Sequence, residues 1–379
     1  MRGFLRRALA AVLCCLMWLP ASAETAAPED TEPPVPEVSA ASGILVHAES
    51  GTVLWEKDAH TPMLIASTTK LMTALVVLEH CNLDETVEIL WDDVQVEGSA
   101  MYLRPGETYT VEELLYGLLL ASGNDAALAL ARHTAGSVED FAVLMNETAR
   151  KLDMTESRFQ NPHGLDAENH HASAGDLAKL MCAAMENPDF ARICGTHAET
   201  VHGVTYVNHN KLLTTCDGVV AGKTGYTMAA GRSLVTCCER EGMRLVCVTL
   251  SAPDDWNDHA ALYDWAYGVY TDDPAPFAEY RLEIPVLSGA AEAVEAAPRE
   301  YPRLLREKSA ELCLQAQAPR FVYAPVEAGS YAGTVTLLAD GTALGDAELE
   351  FRDTVDLDPA LAAWRFLPAA GMSQRLLLA

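Results

Sequence analysis

The stretch IASTTKLMTALVVLEH, residues 65–80, decides how this chain is read. From Leu71 onward it is apolar around most of a helical circumference, the pattern of a helix buried on nearly every side. Yet Lys70 lies in its first turn and Ser67 stands three residues earlier. Residues i and i+3 share a helix face, so the hydroxyl and the amine are within reach of each other. A serine becomes a nucleophile when a base takes its proton. A lysine is such a base once burial or a nearby cation lowers its pKa. The apolar helix supplies the burial, and a helix N-terminus supplies a positive field for a developing oxyanion. Alone, Ser-x-x-Lys says little, since on the order of one is expected by chance in a chain of this size, and an N-cap serine beside a snorkelling lysine is its ordinary explanation.

Working outward, Gly43–His47 and Thr52–Glu56 alternate as strands about the turn Glu49-Ser50-Gly51, a hairpin. Thr110-Val111-Glu112-Glu113 is a capping box opening a helix to about Leu120. Ser122-Gly123-Asn124 breaks that helix, and Asp125–His133 resumes. Helical periodicity continues over Val138–Leu152 and Ser173–Glu186. Strand patterns return at Val219–Met228, Ser233–Glu239 and Met243–Ser251, the last two flanking Arg240-Glu241-Gly242, and Asn257–Tyr270 reads as a further helix. Strands, many helices, then strands predict an α+β fold: an antiparallel sheet carrying a helical region, with the N- and C-terminal strands in one sheet. After Pro276 short runs such as Arg281–Val286, Arg320–Tyr323 and Gly333–Leu338 alternate with turns and predict a small all-β domain.

The expected organisation is a leader over 1–23, a Pro- and acid-rich disordered linker over 24–38, a first domain over 39–275, the β domain over 276–357 and a tail over 358–379. The leader has Arg2, Arg6 and Arg7 before an apolar run, Ala8–Leu19, and ends in Ala21-Ser22-Ala23. That is the form of a secretory signal peptide, so the chain is expected to be exported. The 379 residues carry a net charge of −28, which disfavours nucleic acid and anionic lipid as partners. Eight cysteines follow the leader: Cys81, Cys182, Cys194, Cys216, Cys237, Cys238, Cys247 and Cys313. None forms a C-x-x-C pair, so mostly buried free thiols, one bridge at most, and no zinc are expected. Cys237 and Cys238 are neighbours in a strand and should face opposite sides. His163, His170 and His171 fit no zinc spacing, and neither a metal nor a cofactor is called for.

Two further motifs join the first. Ser122-Gly123-Asn124, at a corner between helices, places a hydroxyl and an amide where they can enter a cleft, to pass a proton and to hold both a substrate backbone and Lys70. Lys223-Thr224-Gly225 follows Gly222 on a strand whose edge a peptide could approach. There Lys223 would keep Lys70 neutral and attract a substrate carboxylate. Each alone has a plain reading, a turn or an exposed strand lysine. Ser-x-x-Lys, Ser-x-Asn and Lys-Thr-Gly in this order, at a helix start, a corner and a strand, form the signature of serine β-lactamases and penicillin-binding proteins.

The chain resembles the low-molecular-weight penicillin-binding proteins, the D-alanyl-D-alanine carboxypeptidase family, over roughly residues 40–355. Besides the three motifs, the resemblance rests on Ile65–Thr73, Asn161-Pro162-His163-Gly164-Leu165-Asp166, Val220–Thr227 and, downstream, Ala324–Gly329. It implies a penicillin-binding/β-lactamase-like domain followed by the small β domain. It implies removal of the terminal D-alanine from peptidoglycan stem peptides ending in D-Ala-D-Ala, with β-lactams as covalent inhibitors. By resemblance, Ser67 is the acylated nucleophile, Lys70 the base and Ser122 the proton relay. Asn124, Lys223, Thr224, Gly225 and Tyr226 contact substrate, and the N–H groups of Ser67 and Tyr226 form the oxyanion hole.

Where the family carries an arginine between two asparagines, this chain has Asn208-His209-Asn210. A charged His209 is one candidate for the carboxylate role at low pH, and Arg232 is another. The tail, with Trp364, Arg365, Phe366, Pro368 and Arg375, is open to two readings, a membrane-surface anchor or a disordered end. Three alternatives stand beside the carboxypeptidase: a D,D-endopeptidase with the same residues, a serine β-lactamase, and a catalytically silent wall-binding protein. No E-x-x-L-N pattern lies between Asn124 and Lys223 to supply a β-lactamase's deacylating carboxylate, and Glu168 lies in a different context.

Overall fold

The computed structural model describes residues 33–362. The leader and most of the tail, including Trp364 and Arg375, lie outside the described residues.

The central sheet has five antiparallel strands: β1 (Ser42–His47), β2 (Val53–Lys57), β3 (Val219–Thr227), β4 (Gly231–Arg240) and β5 (Met243–Leu250), in the order β2-β1-β5-β4-β3. The first hairpin and the last three strands therefore share a sheet, as the pattern predicts, with β3 at an edge. Glu241 and Gly242 both have positive φ (53° and 80°), the two-residue turn that matches strand twist between β4 and β5.

Both faces of this sheet are covered. Ile44, Val46, Val235, Cys237, Val246 and Val248 pack on one side against α1 (Lys70–His80), α2 (Val111–Leu119), α3 (Asn124–Ala135), α4 (Val138–Lys151), α5 (Ala174–Met185) and α6 (Pro188–Cys194). Leu45, Leu234, Cys238, Leu245 and Cys247 pack on the other against α7 (Asp255–Val269). Cys237 and Cys238 thus enter different cores, as strand alternation requires. Double coverage explains why β4 and β5 read as nearly unbroken apolar runs.

Caps set the helix starts. Thr110 and Glu113 close a reciprocal capping box on α2, Ser137 caps α4 and Ser173 caps α5. Two elements have no strong sequence pattern and emerge only here: α6, capped by Asn187, and the ribbon Ala198–Val201 with Val204–Val207. The predicted helix from Ser67 is corrected in its first turn. Ala66–Thr69 is a 3-10 turn and the α-helix begins at Lys70. Ala66 sits at φ 47°, a left-handed conformation that a continuous α-helix cannot contain.

Pro33–Val38 has no regular structure, but Val38 packs against the sheet core, so this end of the expected linker is docked. Downstream, six strands form a second sheet with its own apolar core around Phe277, Val335, Leu349 and Phe351. The boundary expected at 275–276 falls inside the helical turn Ala275–Ala278. Tyr270–Thr271 pairs with Arg306–Glu307, and Arg303 Nε donates to the buried Asp272 at 2.9 Å, tying the two regions.

All eight cysteines of the described residues are free thiols. Cys313 is exposed, whereas Cys194, Cys237, Cys238 and Cys247 are buried. A thiol reagent applied to native protein should therefore label Cys313 first and reach Cys237 and Cys247 only after denaturation, as read by mass mapping. Early labelling of Cys247 would contradict this packing.

Candidate active site

The reactive turn is held from several directions. Thr68 Oγ1 donates to Ile65 O at 2.7 Å and Thr69 Oγ1 to Ala66 O at 2.8 Å, so both threonines of the motif fasten their own turn. His170 meets Thr69 Oγ1 through Nε2 at 2.7 Å and accepts from Gln160 N–H through Nδ1 at 3.0 Å, which occupies both ring nitrogens in structural bonds. Gly164 has φ 90°, and a Cβ there would lie 1.9 Å from Ala66 O, so the Asn161–Asp166 loop can seat on the turn only with glycine.

Lys70 is fully buried, and its Nζ has three neighbours: Ser67 Oγ at 2.9 Å, Asn124 Oδ1 at 2.7 Å and His163 O at 2.7 Å. Burial first, then the Lys223 charge, pull its pKa well below the ordinary lysine value, while Asp125 opposes them. A neutral amine has two hydrogens and one lone pair. With both hydrogens donated to the two carbonyl oxygens, the lone pair faces Ser67 Oγ, which is the geometry of a general base. Burial also lowers Lys223, to about 8, so it keeps much of its charge at neutral pH.

The other predicted residues gather here with some changes of role. Asn124 pins Lys70 as expected, but its Nδ2 is already given to Glu97 O at 2.6 Å. Ser122 is buried at a left-handed corner (φ 60°) and lines the same cleft as Ser67. Lys223 is no exposed strand lysine: it is buried and donates to Thr224 O at 2.8 Å. His209 lines the cleft, but burial and then the charges of Lys223 and Lys70 lower its pKa, which works against a cationic role. Thr224, Gly225, Tyr226 and Arg232 complete the wall, with Ser99, Asp255 and Trp256, around a space of about 290 Å³.

Gly225 explains how the edge strand and the nucleophile turn meet. A Cβ at this position would lie 2.8 Å from Ile65 O and 3.1 Å from Ser67 N. The two amides assigned to the oxyanion hole, of Ser67 and Tyr226, thus belong to segments packed directly on each other. Gly225→Ala should push them apart and lower turnover on the order of 10²-fold, comparable to losing an oxyanion donor, with a near-normal melting temperature. Unchanged kcat would rule out this reading of the glycine.

Several contributors carry no legible sequence signal. The His163 carbonyl is main chain, and any residue there would supply one. Asp125 accepts from Met101 N at 2.9 Å and Leu103 N at 3.1 Å, fixing the segment beside the cleft. Asp255 and Trp256 reach the cleft from α7, far along the chain.

Comparison with known proteins agrees with this geometry. The family model for D-alanyl-D-alanine carboxypeptidase matches residues 27–254. The chain is 29% identical over 331 residues to the D-alanyl-D-alanine carboxypeptidase DacF of Bacillus subtilis, covering 83% of this chain and 85% of that one. It is 36% identical over 248 residues to DacB2 of Mycobacterium tuberculosis, covering 62% and 85%. The structure of penicillin binding protein 5 from Haemophilus influenzae superposes with a TM-score of 0.65 at 25% identity, over 86% of this chain and all of that one. The chain belongs to the D-alanyl-D-alanine carboxypeptidase family.

Proposed function

We propose that this protein is an exported serine-type enzyme that removes the terminal D-alanine from peptidoglycan stem pentapeptides through an acyl-serine intermediate, and that penicillins acylate the same serine. The observation that carries the reading is Lys70 Nζ, buried and 2.9 Å from Ser67 Oγ.

The peptide lies along the open edge of β3 as an added strand. Neutral Lys70 takes the Ser67 proton as Oγ bonds to the penultimate carbonyl carbon. The oxyanion turns toward the Ser67 and Tyr226 amides. Ser122 passes the proton to the departing amine as the C–N bond breaks and D-alanine leaves. Water then attacks the ester, returning the proton to Ser67 and releasing the shortened peptide. Export rests on the leader pattern, and a membrane contact through the tail on its Trp, Phe and Arg residues. Among the described residues no helix is long and apolar enough to cross a membrane.

Among the described residues lining the cleft the one carboxylate is Asp255, which is engaged with Arg232, and this supports slow release of bound penicillin rather than β-lactamase turnover. The test is intact mass over time with a fluorescent penicillin, together with D-alanine release from a pentapeptide. A persistent adduct mapping to Ser67, with D-alanine released, is the expected result. Rapid adduct turnover would favour the β-lactamase, and no adduct on folded protein would leave a silent wall-binding protein.

A further inference from the structure

We infer that His47, Glu49 and Asp272 bind one divalent first-row metal ion of the zinc type, which fastens the first sheet to the connection leading into the second. None of the three lines the catalytic cleft, so the inference stands apart from the carboxypeptidase reading.

No spacing rule reveals this group, because its third member comes from far along the chain. His47 closes β1. Its N–H donates to Thr52 O and its carbonyl accepts from Gly51 N–H, both at 2.9 Å, which fixes the turn that carries Glu49. The imidazole is 1% exposed, and its Nε2 lies 3.1 Å from Glu49 Oε2 and 3.4 Å from Asp272 Oδ2. Despite these distances, Nε2 makes no hydrogen bond to any described residue, since neither oxygen stands on the axis along which it could donate. The ligand atoms of all three residues lie within 4.8 Å of one another. Atoms bound about 2.1 Å from a common ion at roughly tetrahedral angles stand about 3.1–3.4 Å apart, the separations seen here.

The other ring nitrogen selects the tautomer. Nδ1 is 2.8 Å from Ser50 Oγ, which accepts from Thr52 N–H at 3.3 Å and meets Thr52 Oγ1 at 2.7 Å. With its proton given to Thr52, the hydroxyl accepts Nδ1–H and leaves the Nε2 lone pair facing two carboxylates. That is the outer-shell bond of a metal-ligating histidine. Without a cation the lone pair meets two anions. With a proton instead, the buried N–H has no aligned acceptor. One imidazole and two carboxylates suit zinc or a similar ion better than magnesium or calcium, which take oxygen ligands. A second group, Cys81, Glu85 and His133, differs in that His133 Nε2 is already bonded to Glu85 Oε2 at 3.0 Å. Arg303 and Arg306 act on Asp272 and oppose a dication, so binding should be weaker than at a closed four-ligand zinc site.

The test is calorimetric titration of Zn²⁺ into the leader-free protein after chelator treatment and dialysis, with melting curves in zinc and in chelator. One ion per chain is expected, with melting raised by about 2–5 °C at saturation. His47→Gln and Glu49→Gln should each weaken binding at least about tenfold and remove the melting shift, while Glu85→Gln keeps both. Melting curves in chelator check the fold of each variant. Glu49 sits on an exposed turn, so Glu49→Gln decides the matter if His47→Gln does not fold. A wild type that binds no zinc, binding unchanged in the folded variants, or binding lost only in Glu85→Gln overturns the inference.

Discussion

Ser67→Ala is expected to abolish the penicillin adduct and to reduce D-alanine release on the order of 10⁴-fold or more, with the melting temperature nearly unchanged. The size follows from the chemistry: without Oγ no acyl-enzyme forms, and only binding and the oxyanion amides remain to assist water. The small stability effect follows from the structure. Ser67 is neither the cap of a helix nor part of the apolar core, and the turn holds itself through Thr68 and Thr69. Single-turnover release of D-alanine, measured on protein purified from a background lacking related enzymes, checks it. Residual activity within tenfold of wild type would mean that another group attacks the peptide.

Lys70→Met is the second large effect. It keeps the length and apolar stem of the side chain and removes the base, so acylation should slow by about 10²–10⁴-fold. Here the fold is expected to hold, because a buried amine with a strongly lowered pKa gives way to a thioether at home in that core. The companion measurement is the pH dependence of wild-type acylation. A base with a lowered pKa is protonated, and lost, as pH falls, so the rate should drop on the acid side at a pH far below the ordinary lysine range. Above about 8 Lys223 loses its charge, which removes one of the influences holding Lys70 neutral and makes Lys70 easier to protonate. The two lysines therefore titrate as a pair, which broadens the acid limb, and the rate should level off above it rather than fall, since losing the Lys223 proton never adds one to Lys70. A rate that climbs without limit to pH 10.5 would show that Lys70 behaves as an ordinary lysine. Lys70→Met should flatten the acid limb; if the limb survives, another group is the base.

Much of this was readable in one dimension because it rests on local rules. The capping box at Thr110–Glu113 and the cap at Ser173 are contacts among residues three apart, so the sequence records them directly. The opposed faces of Cys237 and Cys238 follow from strand alternation. The three motifs were legible because each is a short run whose spacing carries its chemistry. What escaped was local structure with a weak signal, such as the Ala198–Val207 ribbon, and the 3-10 turn at Ala66–Thr69, whose left-handed residue is an alanine that no propensity rule would place there.

The sequence by itself therefore determined the class of chemistry and the order of strands and helices that carries it, since both depend on neighbours along the chain. Only the tertiary structure decided that the amine of Lys70 finds a further acceptor in the His163 carbonyl, that Lys223 is buried, and that Arg232 rather than His209 offers the cleft an exposed charge. Those outcomes depend on burial and on electrostatics between segments distant in sequence, and neither quantity exists until the chain has folded.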